Sequence, residues 1–543
     1  MRRSSRIQKV ESEQEPERLG EPVVKKLPSI RNAKASKAAA PTLTPDLRIE
    51  KSGSSVLAIL SRAVVVLAAI GVLYLKYSKL STKEVGSRDM RYCENVLASK
   101  TTLLNKNGEL DYSALSGECY FSEDFYAAKD LFIKSAKNAN AELLYMPVTD
   151  TLGTDVAIFR GSKKRFLLHV SGVHGPEGFH GSASQSAILQ YLSINKIFEN
   201  VATPKVVIEG GDTSPPDEGE AALPPTIVLV HALNPYGMAH NRRFTEDNID
   251  LNRNFLRDEE FVAARKRDPN IAGYVDVDPF INPKAMPTKS ILLNDIYGGF
   301  VTVYAVMNFG IEKIKKAMVT GTYHKKEGLY YGGNSRTKNA QNLIDLVTDK
   351  LQIPILSEKV VVIDVHSGLG PGGFDTLAIL SANVNETADQ LKLFEKHFPK
   401  EYDSQGVLVG GFKENALGSD GDDDAKASSS SAMSGYELTI GTLTENFCRN
   451  YLAPHLQDSS KRVCITQEFG TVDKIFVGKA MRDENYAHHY GTKEEQGVYG
   501  QRVRHCFYVN TIKWKKQVLR RALKLFVEGM SFLQTNYKGQ HYN

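Results

Sequence analysis

The chain has 543 residues, of which 41% are hydrophobic and 9% aromatic, and its formal net charge is +5. This composition is typical of a globular protein with an ordinary core. The charge is small for the length, and the basic clusters at 313–316 and 513–524 have the apolar spacing of solvated helix faces. We therefore expect no binding to nucleic acid, and we predict one large domain that follows an N-terminal tail.

The N-terminal region predicts a tail and a membrane anchor. Residues 1–54 are rich in Arg, Lys, Ser, Pro and Glu and poor in aromatic residues, which predicts a disordered tail. The span from Val56 to Leu75 is apolar apart from Arg62, and its 20 residues can cross a bilayer as a helix. We predict a transmembrane helix over 55–77 and a linker over 78–94. The alternative is a buried or interfacial amphipathic helix.

The orientation of this predicted helix stays open. Basic residues flank it on both sides, and their slight excess between Lys76 and Arg91 favours a cytosolic position for the rest of the chain. A glycosylation sequon, Asn385-Glu386-Thr387, favours the opposite orientation.

The first segment with catalytic chemistry is His174-Gly175-Pro176-Glu177, which follows the apolar run Phe166–Val173. A strand that ends in His-x-x-Glu can aim an imidazole and a carboxylate at one point. These two side chains would supply two of the three protein ligands of a catalytic zinc and leave a fourth position for water. Such a tetrad is common by chance, so its meaning depends on the later segments.

Two polar segments that contain Asn and Arg come next. Asn241-Arg242-Arg243 follows the turn Asn234-Pro235-Tyr236-Gly237, and Asn252-Arg253 lies within Asn248–Phe255. An Asn-Arg pair beside a metal can bind a carboxylate, because Arg offers a planar fork for bidentate pairing. A further Arg can polarise a scissile carbonyl and stabilise the oxyanion. The alternative is a polar surface loop with ordinary turn signals.

A later apolar run, Val360–Val365, delivers His366 at its end and is followed by several glycines. Ligands bind beyond the carboxyl ends of strands in open α/β sheets, so His366 is expected to meet His174 and Glu177 there. Asp364 lies two residues earlier on the same face of the strand and is a candidate partner for a ligand.

The last segment, Cys464–Thr471, is a short apolar strand that ends in one carboxylate, Glu468. A Glu held next to a zinc-bound water can act as general base and then as general acid. By itself a glutamate at a strand end is usually exposed to solvent, so this assignment depends on the preceding segments.

Joined in this order, the segments resemble the zinc carboxypeptidase superfamily, and their details resemble one of its branches, the DUF2817 family. The sequences that carry the closer resemblance are Ser-Gly-Val-His-Gly-Pro-Glu-Gly-Phe, Asn-Pro-Tyr-Gly, Asp-Leu-Asn-Arg-Asn-Phe, Gly-Leu-Tyr-Tyr-Gly-Gly and Glu-Phe-Gly-Thr. The resemblance implies an α/β/α sandwich around a mixed, largely parallel sheet. We predict this catalytic domain over residues 95–535, with a low-complexity loop at 418–434.

The resemblance also implies a role for each candidate side chain. One Zn²⁺ would be bound by His174, Glu177 and His366, and Glu468 would be the base. The substrate carboxylate would be taken by Asn252 and Arg253. Either Arg243 or Arg242 would act on the carbonyl, since the spacing does not decide between them. Tyr436 lies in the interval where many carboxypeptidases carry a mobile tyrosine.

The predicted function is a membrane-tethered zinc hydrolase of the metallocarboxypeptidase type, which cleaves an amide bond next to a carboxylate-bearing residue. A deacylase of N-acyl amino acids, of the aspartoacylase type, would need the same core. A non-catalytic binding module on the same fold is the third alternative. The expected partners are a peptide or an N-acyl amino acid as substrate and a membrane through residues 55–77.

The five cysteines show no spacing typical of a metal site. Cys93 and Cys119 flank the start of the predicted catalytic region, and an oxidising compartment would allow them to pair, although the sequence does not demonstrate the pair. Cys464 lies in an apolar strand, which predicts a buried thiol.

Overall fold

The structure, a computed structural model, describes residues 117–199, 222–378 and 438–534, together with Cys93, Val96, Val201 and Glu220. The predicted tail at 1–54, the predicted membrane helix at 55–77 and the loop at 418–434 lie outside the described residues, as does most of the linker at 78–94. Within these ranges, no helix is both long and apolar enough to cross a membrane.

The centre of the molecule is a mixed sheet, to which the described residues contribute seven strands. The strands are β1 Glu142–Pro147, β2 Gly153–Phe159, β3 Ser162–Ser171, β4 Pro225–His231, β5 Lys359–Gly372, β6 Asp375–Ala378 and β7 Arg462–Gly470. Their order is β1-β2-β4-β3-β5-β7-β6. The four central strands run parallel, whereas β1, β2 and β6 add antiparallel pairings at the two edges. The sheet is therefore parallel at its centre and antiparallel at its edges.

Helices connect these strands. The α-helices are α1 Phe125–Asn138, α2 Gly178–Ile194, α3 Pro235–Ala239, α4 Asp258–Lys266, α5 Tyr274–Ile281, α6 Ile291–Phe309, α7 Ile311–Thr320, α8 Lys338–Asp345, α9 Ile353–Leu356, α10 Lys474–Tyr490, α11 Lys493–Phe507 and α12 Ile512–Leu533. Short 3₁₀ helices span Gly175–Glu177, Leu251–Arg253 and Ser459–Lys461, and π-helical segments span Leu346–Lys350 and Leu443–Leu452. Polar side chains begin several of them: Ser290 caps α6, and Thr492 forms a capping box with Glu495 at α11.

Helices cover both faces of the sheet. Alternate residues of β3, β5 and β7 point to opposite faces, as the two-residue period of a strand requires. Leu167, Val361 and Ile465 belong to a core shared with α1, α2 and α12. Leu168 and Val362 belong to a second core shared with α8 and the 443–452 segment. The predicted mixed α/β fold with a central sheet is therefore confirmed.

Two disulfides join described residues. Cys93 and Cys119, whose pairing the sequence left conditional on an oxidising compartment, form a disulfide. The prediction of a buried thiol for Cys464 is wrong, because this residue of β7 lies against the 443–452 segment and forms a disulfide with Cys448. Disulfides persist in oxidising compartments. They therefore favour an oxidising environment for this part of the chain, in contrast to the cytosolic position that the basic residues favoured.

The register of the sheet positions the candidate site. In the parallel pair of β5 and β7, His366 is the partner of Glu468. In the parallel pair of β3 and β5, Ser171 is the partner of Val365, and His174 follows three residues later. Three neighbouring parallel strands thus bring His174, His366 and Glu468 to one edge of the sheet. The strand β5 does not end at His366, as the sequence predicted, but continues to Gly372 after a register shift beyond Ser367.

Candidate active site

Two imidazoles and one carboxylate converge at this edge, and all three are buried. The Nδ1 atom of His366 lies 3.1 Å from Nδ1 of His174 and 2.9 Å from Oε2 of Glu177, and Nδ1 of His174 lies 3.0 Å from Oε1 of Glu177. Ligands about 2.0–2.2 Å from a tetrahedral zinc are about 3.3 Å apart. A small outward movement of these groups would therefore open a site for an ion, and the cluster can hold a metal.

The outer nitrogens of both imidazoles lie against aspartates. Nε2 of His174 is 3.1 Å from Oδ1 of Asp250, and Nε2 of His366 is 2.7 Å from Oδ2 of Asp364. A proton held on Nε2 by a carboxylate leaves the lone pair of Nδ1 directed into the cluster, which is the tautomer that a metal ligand needs. The donor set therefore fits a divalent cation.

Asp250 is a residue for which the sequence predicted no role. It precedes Leu251-Asn252-Arg253, and its side chain also accepts a hydrogen bond of 2.9 Å from the backbone N–H of Asn252. The same aspartate therefore orients a candidate ligand and begins the short helix that carries the candidate carboxylate-binding pair. The sequence shows an aspartate at the start of this segment, but its partner His174 is 76 residues away, and short-range patterns do not reveal such a contact.

Charges in the cluster shift the pKa values of its members. Burial raises the pKa of Glu177, but His174 and His366 more than offset this effect and hold it well below its ordinary value. Burial also raises the pKa of Asp250, and Arg253, Arg243 and His174 together depress it well below the ordinary range. Both groups are therefore carboxylates, which favours a cation beside them.

The opposite shift affects His366. Burial lowers its pKa, but the carboxylates of Asp364 and Glu177 raise it well above that of an ordinary histidine. A metal cation would take the place between Nδ1 of His366 and Glu177, whereas Asp364 lies on the opposite nitrogen, Nε2.

Glycines and a turn hold the His174 loop in place. A Cβ atom on Gly175 would lie 2.0 Å from the carbonyl carbon of Gly237, so the two loops can meet only if this residue is glycine. The Asn234 side chain accepts from the N–H of Gly237 at 2.9 Å and donates to the carbonyl of Arg243 at 3.1 Å. The Asn-Pro-Tyr-Gly segment is therefore a support for the site.

The two candidate arginines point in different directions. Arg243 lines the cavity and donates to Oε1 of Glu177 at 3.0 Å and to Oδ2 of Asp250 at 3.2 Å. Arg242 is also buried, but it contacts Asn485 at 3.4 Å and pairs with Glu484 at 3.5 Å. It does not belong to the cavity lining. The structure therefore brings Arg243 to the site and places Arg242 in a separate polar network.

Asn252 and Arg253 both line the same cavity. Oδ1 of Asn252 accepts a hydrogen bond of 2.8 Å from the backbone of Leu443. The guanidinium of Arg253 is fully buried, lies 3.6 Å from Asp250 and donates to the carbonyl of Val319. Both side chains are thus fixed in position beside the cluster.

Tyr330 is a second residue that sequence reasoning missed. Its ring lies 4.8 Å from the guanidinium carbon of Arg243 and 5.1 Å from that of Arg253, as expected for cation–π contacts. Its φ angle is +57°, which is uncommon for a residue other than glycine. The Gly-Leu-Tyr-Tyr-Gly-Gly segment therefore places one aromatic ring between the two arginines.

Glu468 lies two residues before the end of β7 and is buried, with 9% of its surface exposed at the edge of the cavity. Gly368 lies close to it and has a φ angle of +138°; a Cβ atom there would lie 3.6 Å from Oε1 of Glu468 and 3.0 Å from the ring of Phe507. One of the glycines after His366 thus serves close packing, as predicted. Tyr436, the candidate mobile tyrosine, lies outside the described residues.

The cavity has a volume of about 160 Å³ and two different ends. The polar end contains His174, Glu177, His366, Glu468, Arg243 and Arg253. The other end is formed by α5, α6, α7 and α10, and most of its side chains are apolar: Phe280, Ile281, Val301, Ala305, Val306, Ile311, Ile314, Met318, Ile475 and Val477. Four basic side chains of α7 and α10 also line the cavity: Lys315, Lys474, Lys479 and Arg482. A ligand with one charged and one apolar part would match both ends.

The chain belongs to the DUF2817 family, as the sequence predicted. The family, described as "Protein of unknown function (DUF2817)", matches residues 121–203 and 218–521. The metal cluster, both arginine segments and Glu468 all lie within these ranges. No curated protein matches the sequence significantly.

Solved structures resemble the chain only distantly. A protein described as a candidate metallopeptidase from Shewanella denitrificans has 10% identity and a TM-score of 0.26, over 68% of this chain and 92% of that one. Bovine thrombin-activatable fibrinolysis inhibitor, solved with tick carboxypeptidase inhibitor, has 9% identity and a TM-score of 0.36, over 77% of this chain and 98% of that one. Both TM-scores are below 0.5.

Proposed function

We propose that this protein is a zinc-dependent amide hydrolase of the metallocarboxypeptidase type. One observation carries the proposal: two imidazole Nδ1 atoms and one carboxylate converge within 3.1 Å of one another, beside a further buried glutamate and two arginines. Two histidines, one carboxylate and an open position form the ligand set of many catalytic zinc sites.

His174, Glu177 and His366 would hold the ion. When bound, Zn²⁺ supplies a Lewis acid and lowers the pKa of a water molecule. Asp364 holds a proton on Nε2 of His366, and Asp250 would do the same for His174 once Nη2 of Arg243, which lies 2.8 Å from the same nitrogen, turns away. Nδ1 of each imidazole is then available as the ligand atom. Two aspartates therefore set the tautomers on which the site depends.

Glu468 is the general base in this proposal. It lies beside His366 in the sheet register and lines the cavity. Its carboxylate takes the proton of the attacking water and returns it to the nitrogen of the leaving amine. The O–H bond of the water breaks as its oxygen bonds to the amide carbon, and the C–N bond breaks as the nitrogen receives the proton.

Arg243 would act on the carbonyl oxygen. Its Nη2 atom lies 2.8 Å from Nε2 of His174. If Nε2 of His174 carries a proton and donates it to Asp250, it cannot also accept a hydrogen bond from Nη2 of Arg243. The N–H groups of Nη2 would then turn to another acceptor. The carbonyl oxygen of a substrate in the cavity is such an acceptor, and it gains negative charge in the transition state.

Asn252 and Arg253 would bind the substrate carboxylate. The burial of Arg253 strengthens its interaction with an anion, because the surroundings screen charge weakly. Its guanidinium already lies near Asp250, which orients the group. The scissile amide bond would then be the one next to the carboxylate-bearing residue.

A deacylase of N-acyl amino acids is the second candidate, because the apolar end of the cavity fits a long acyl group as well as it fits a peptide. A long acyl group would contact Ile314, Met318 and Val477, as would a large apolar residue of a peptide. A binding module without activity has the least support, because the three candidate ligands and Glu468 are all present in one cavity.

Substrates with a free or an amidated carboxylate distinguish these functions. We expect purified protein to contain about one zinc per chain and to hydrolyse peptides or N-acyl amino acids with a free carboxylate. Arg253→Ala should raise KM for these substrates and leave amidated ones unaffected, whereas Arg257→Ala, at a half-exposed arginine nearby, should change neither. Equal losses on both substrate types would contradict carboxylate recognition, and the lack of metal and hydrolysis would contradict the proposed function.

A further inference from the structure

The helix α6 (Ile291–Phe309) has an unusual composition for the surface of a globular protein. Among its 19 residues the charged one is Asp295, and this side chain is buried. Asp295 accepts two hydrogen bonds from Arg502, of 2.6 and 2.7 Å, and one of 3.1 Å from Lys479. Its charge is therefore directed into the protein.

The outer face of α6 is apolar and exposed. Its residues have between 38% and 74% of their surface exposed, and they are Leu292, Leu293, Ile296, Tyr297, Phe300, Tyr304 and Met307. At 3.6 residues per turn they fall within an arc of about 140°. A continuous exposed patch of this kind marks an interaction surface.

The inner face of the same helix lines the candidate active site. Val301, Ala305 and Val306 contribute to the apolar end of the cavity. The helix α6 therefore lies between the candidate active-site cavity and the outer surface of the protein.

Lysines lie at both ends of α6. Lys284 and Lys289 precede it and are exposed, while Lys313 and Lys316 follow it and are also exposed. Lys313 pairs with Asp276 at 3.0 Å, and Glu312 pairs with Lys474 at 2.8 Å, so the exposed acidic groups next to the helix only partly balance the lysines. The surface thus combines an apolar face with positive charge at its two ends.

We propose that the outer face of α6 docks on a lipid bilayer that contains anionic lipids, with the helix parallel to the membrane surface. Apolar side chains would enter the boundary of the acyl chains. Tyr297 and Tyr304 have the amphipathic rings that are enriched at this depth. The lysines at both ends would lie among anionic headgroups, which attract basic residues near the membrane surface.

The charges favour a membrane over a second copy of the chain. In a twofold symmetric contact the same surface is present on both sides. Two α6 helices packed in this way would bring lysines at 284 and 289 near those at 313 and 316, and like charges repel. The proposal does not rest on the assignment of the hydrolase activity, and it is independent of the span predicted at 55–77.

Fluorescence of a tryptophan placed on α6 tests the docking. The chain has one tryptophan, Trp514, which is buried and gives a constant background. The full chain with Phe300→Trp would be reconstituted in phosphatidylcholine–phosphatidylserine vesicles, with or without brominated acyl chains. The matched control is Tyr126→Trp, because Tyr126 is an exposed aromatic residue, at 63%, on α1. We expect a blue shift and strong quenching by brominated lipid for Phe300→Trp, and neither for Tyr126→Trp.

Each other outcome overturns the proposal. Equal quenching of both variants would mean that α6 does not contact lipid specifically. A blue shift that needs no lipid and grows with protein concentration would identify a second copy as the partner. A blue shift that depends neither on lipid nor on protein concentration would mean that another part of the same chain covers the outer face of α6. Should Phe300→Trp not fold, Tyr304→Trp places the same probe one turn further along the helix.

Discussion

The two ends of the cavity are built in opposite ways. At the polar end each side chain has several fixed partners: Glu177 contacts both histidines, Arg243 and the backbone of Ser367. At the apolar end α5, α6 and α7 present side chains that are fixed only by packing. Chemistry at a metal requires distances defined to a fraction of an ångström, whereas an apolar pocket requires only shape. We therefore expect substitutions at the two ends to affect different quantities.

The largest effect is expected from the removal of a metal ligand. His366→Ala should abolish both zinc binding and hydrolysis, because it removes one of three ligands and leaves Glu177 and Asp364 with fewer partners. Metal analysis of the purified protein measures this directly, and the exposed His455 supplies the control His455→Ala. A variant that kept wild-type zinc content would show that His366 is not a ligand.

Substitution of Glu468 is expected to have a smaller effect, which lowers the rate of hydrolysis without changing zinc binding. Glu468→Gln should keep zinc and lower kcat by about 10²–10⁴, because an amide cannot accept the proton of the water. Glu358→Gln is the matched control, since Glu358 is an exposed glutamate that pairs with Lys164. Metal content and turnover are measured on the same samples. Retention of turnover by Glu468→Gln would refute its role as base.

Asp250 connects the metal ligand to the arginines, and its loss should weaken rather than abolish the site. Asp250→Asn keeps the shape but removes the negative charge that holds His174 and Arg243. We expect zinc affinity to fall about 10–100-fold, measured by competition with a chelator. Asp276→Asn, at an exposed aspartate, is the control. An unchanged affinity would mean that Asp250 does not orient the ligand.

At the apolar end the effect should be smallest and selective. Ala305→Phe adds a ring to a buried wall position of α6 and fills part of the cavity. We expect kcat/KM to fall about 10-fold for substrates with a large apolar group, which corresponds to about 1.4 kcal/mol, and to change little for small ones. Zinc content should stay the same. Equal losses on large and small substrates would show that this end does not select substrates.

The sequence by itself determined which candidate ligands meet and to which family the chain belongs. His174 and Glu177 are three residues apart at the end of one apolar run, and His366 and Glu468 end two others, so the parallel strands alone bring them to one edge. The order of these motifs identified the DUF2817 family. Such features are local, because strands and the positions at their ends can be recognised from short stretches of sequence.

Only the tertiary structure decided which arginine faces the cluster, because Arg242 and Arg243 are adjacent and differ only in long-range partners. Arg243 meets Glu177 across 66 residues, whereas Arg242 meets Asn485 across 243. Sequence spacing likewise did not predict three other contacts: Asp250 with His174, Tyr330 with the two arginines, and the Cys448–Cys464 disulfide. Each of these contacts depends on how distant segments pack, and the apolar face of α6 became visible only when the buried side of that helix was known.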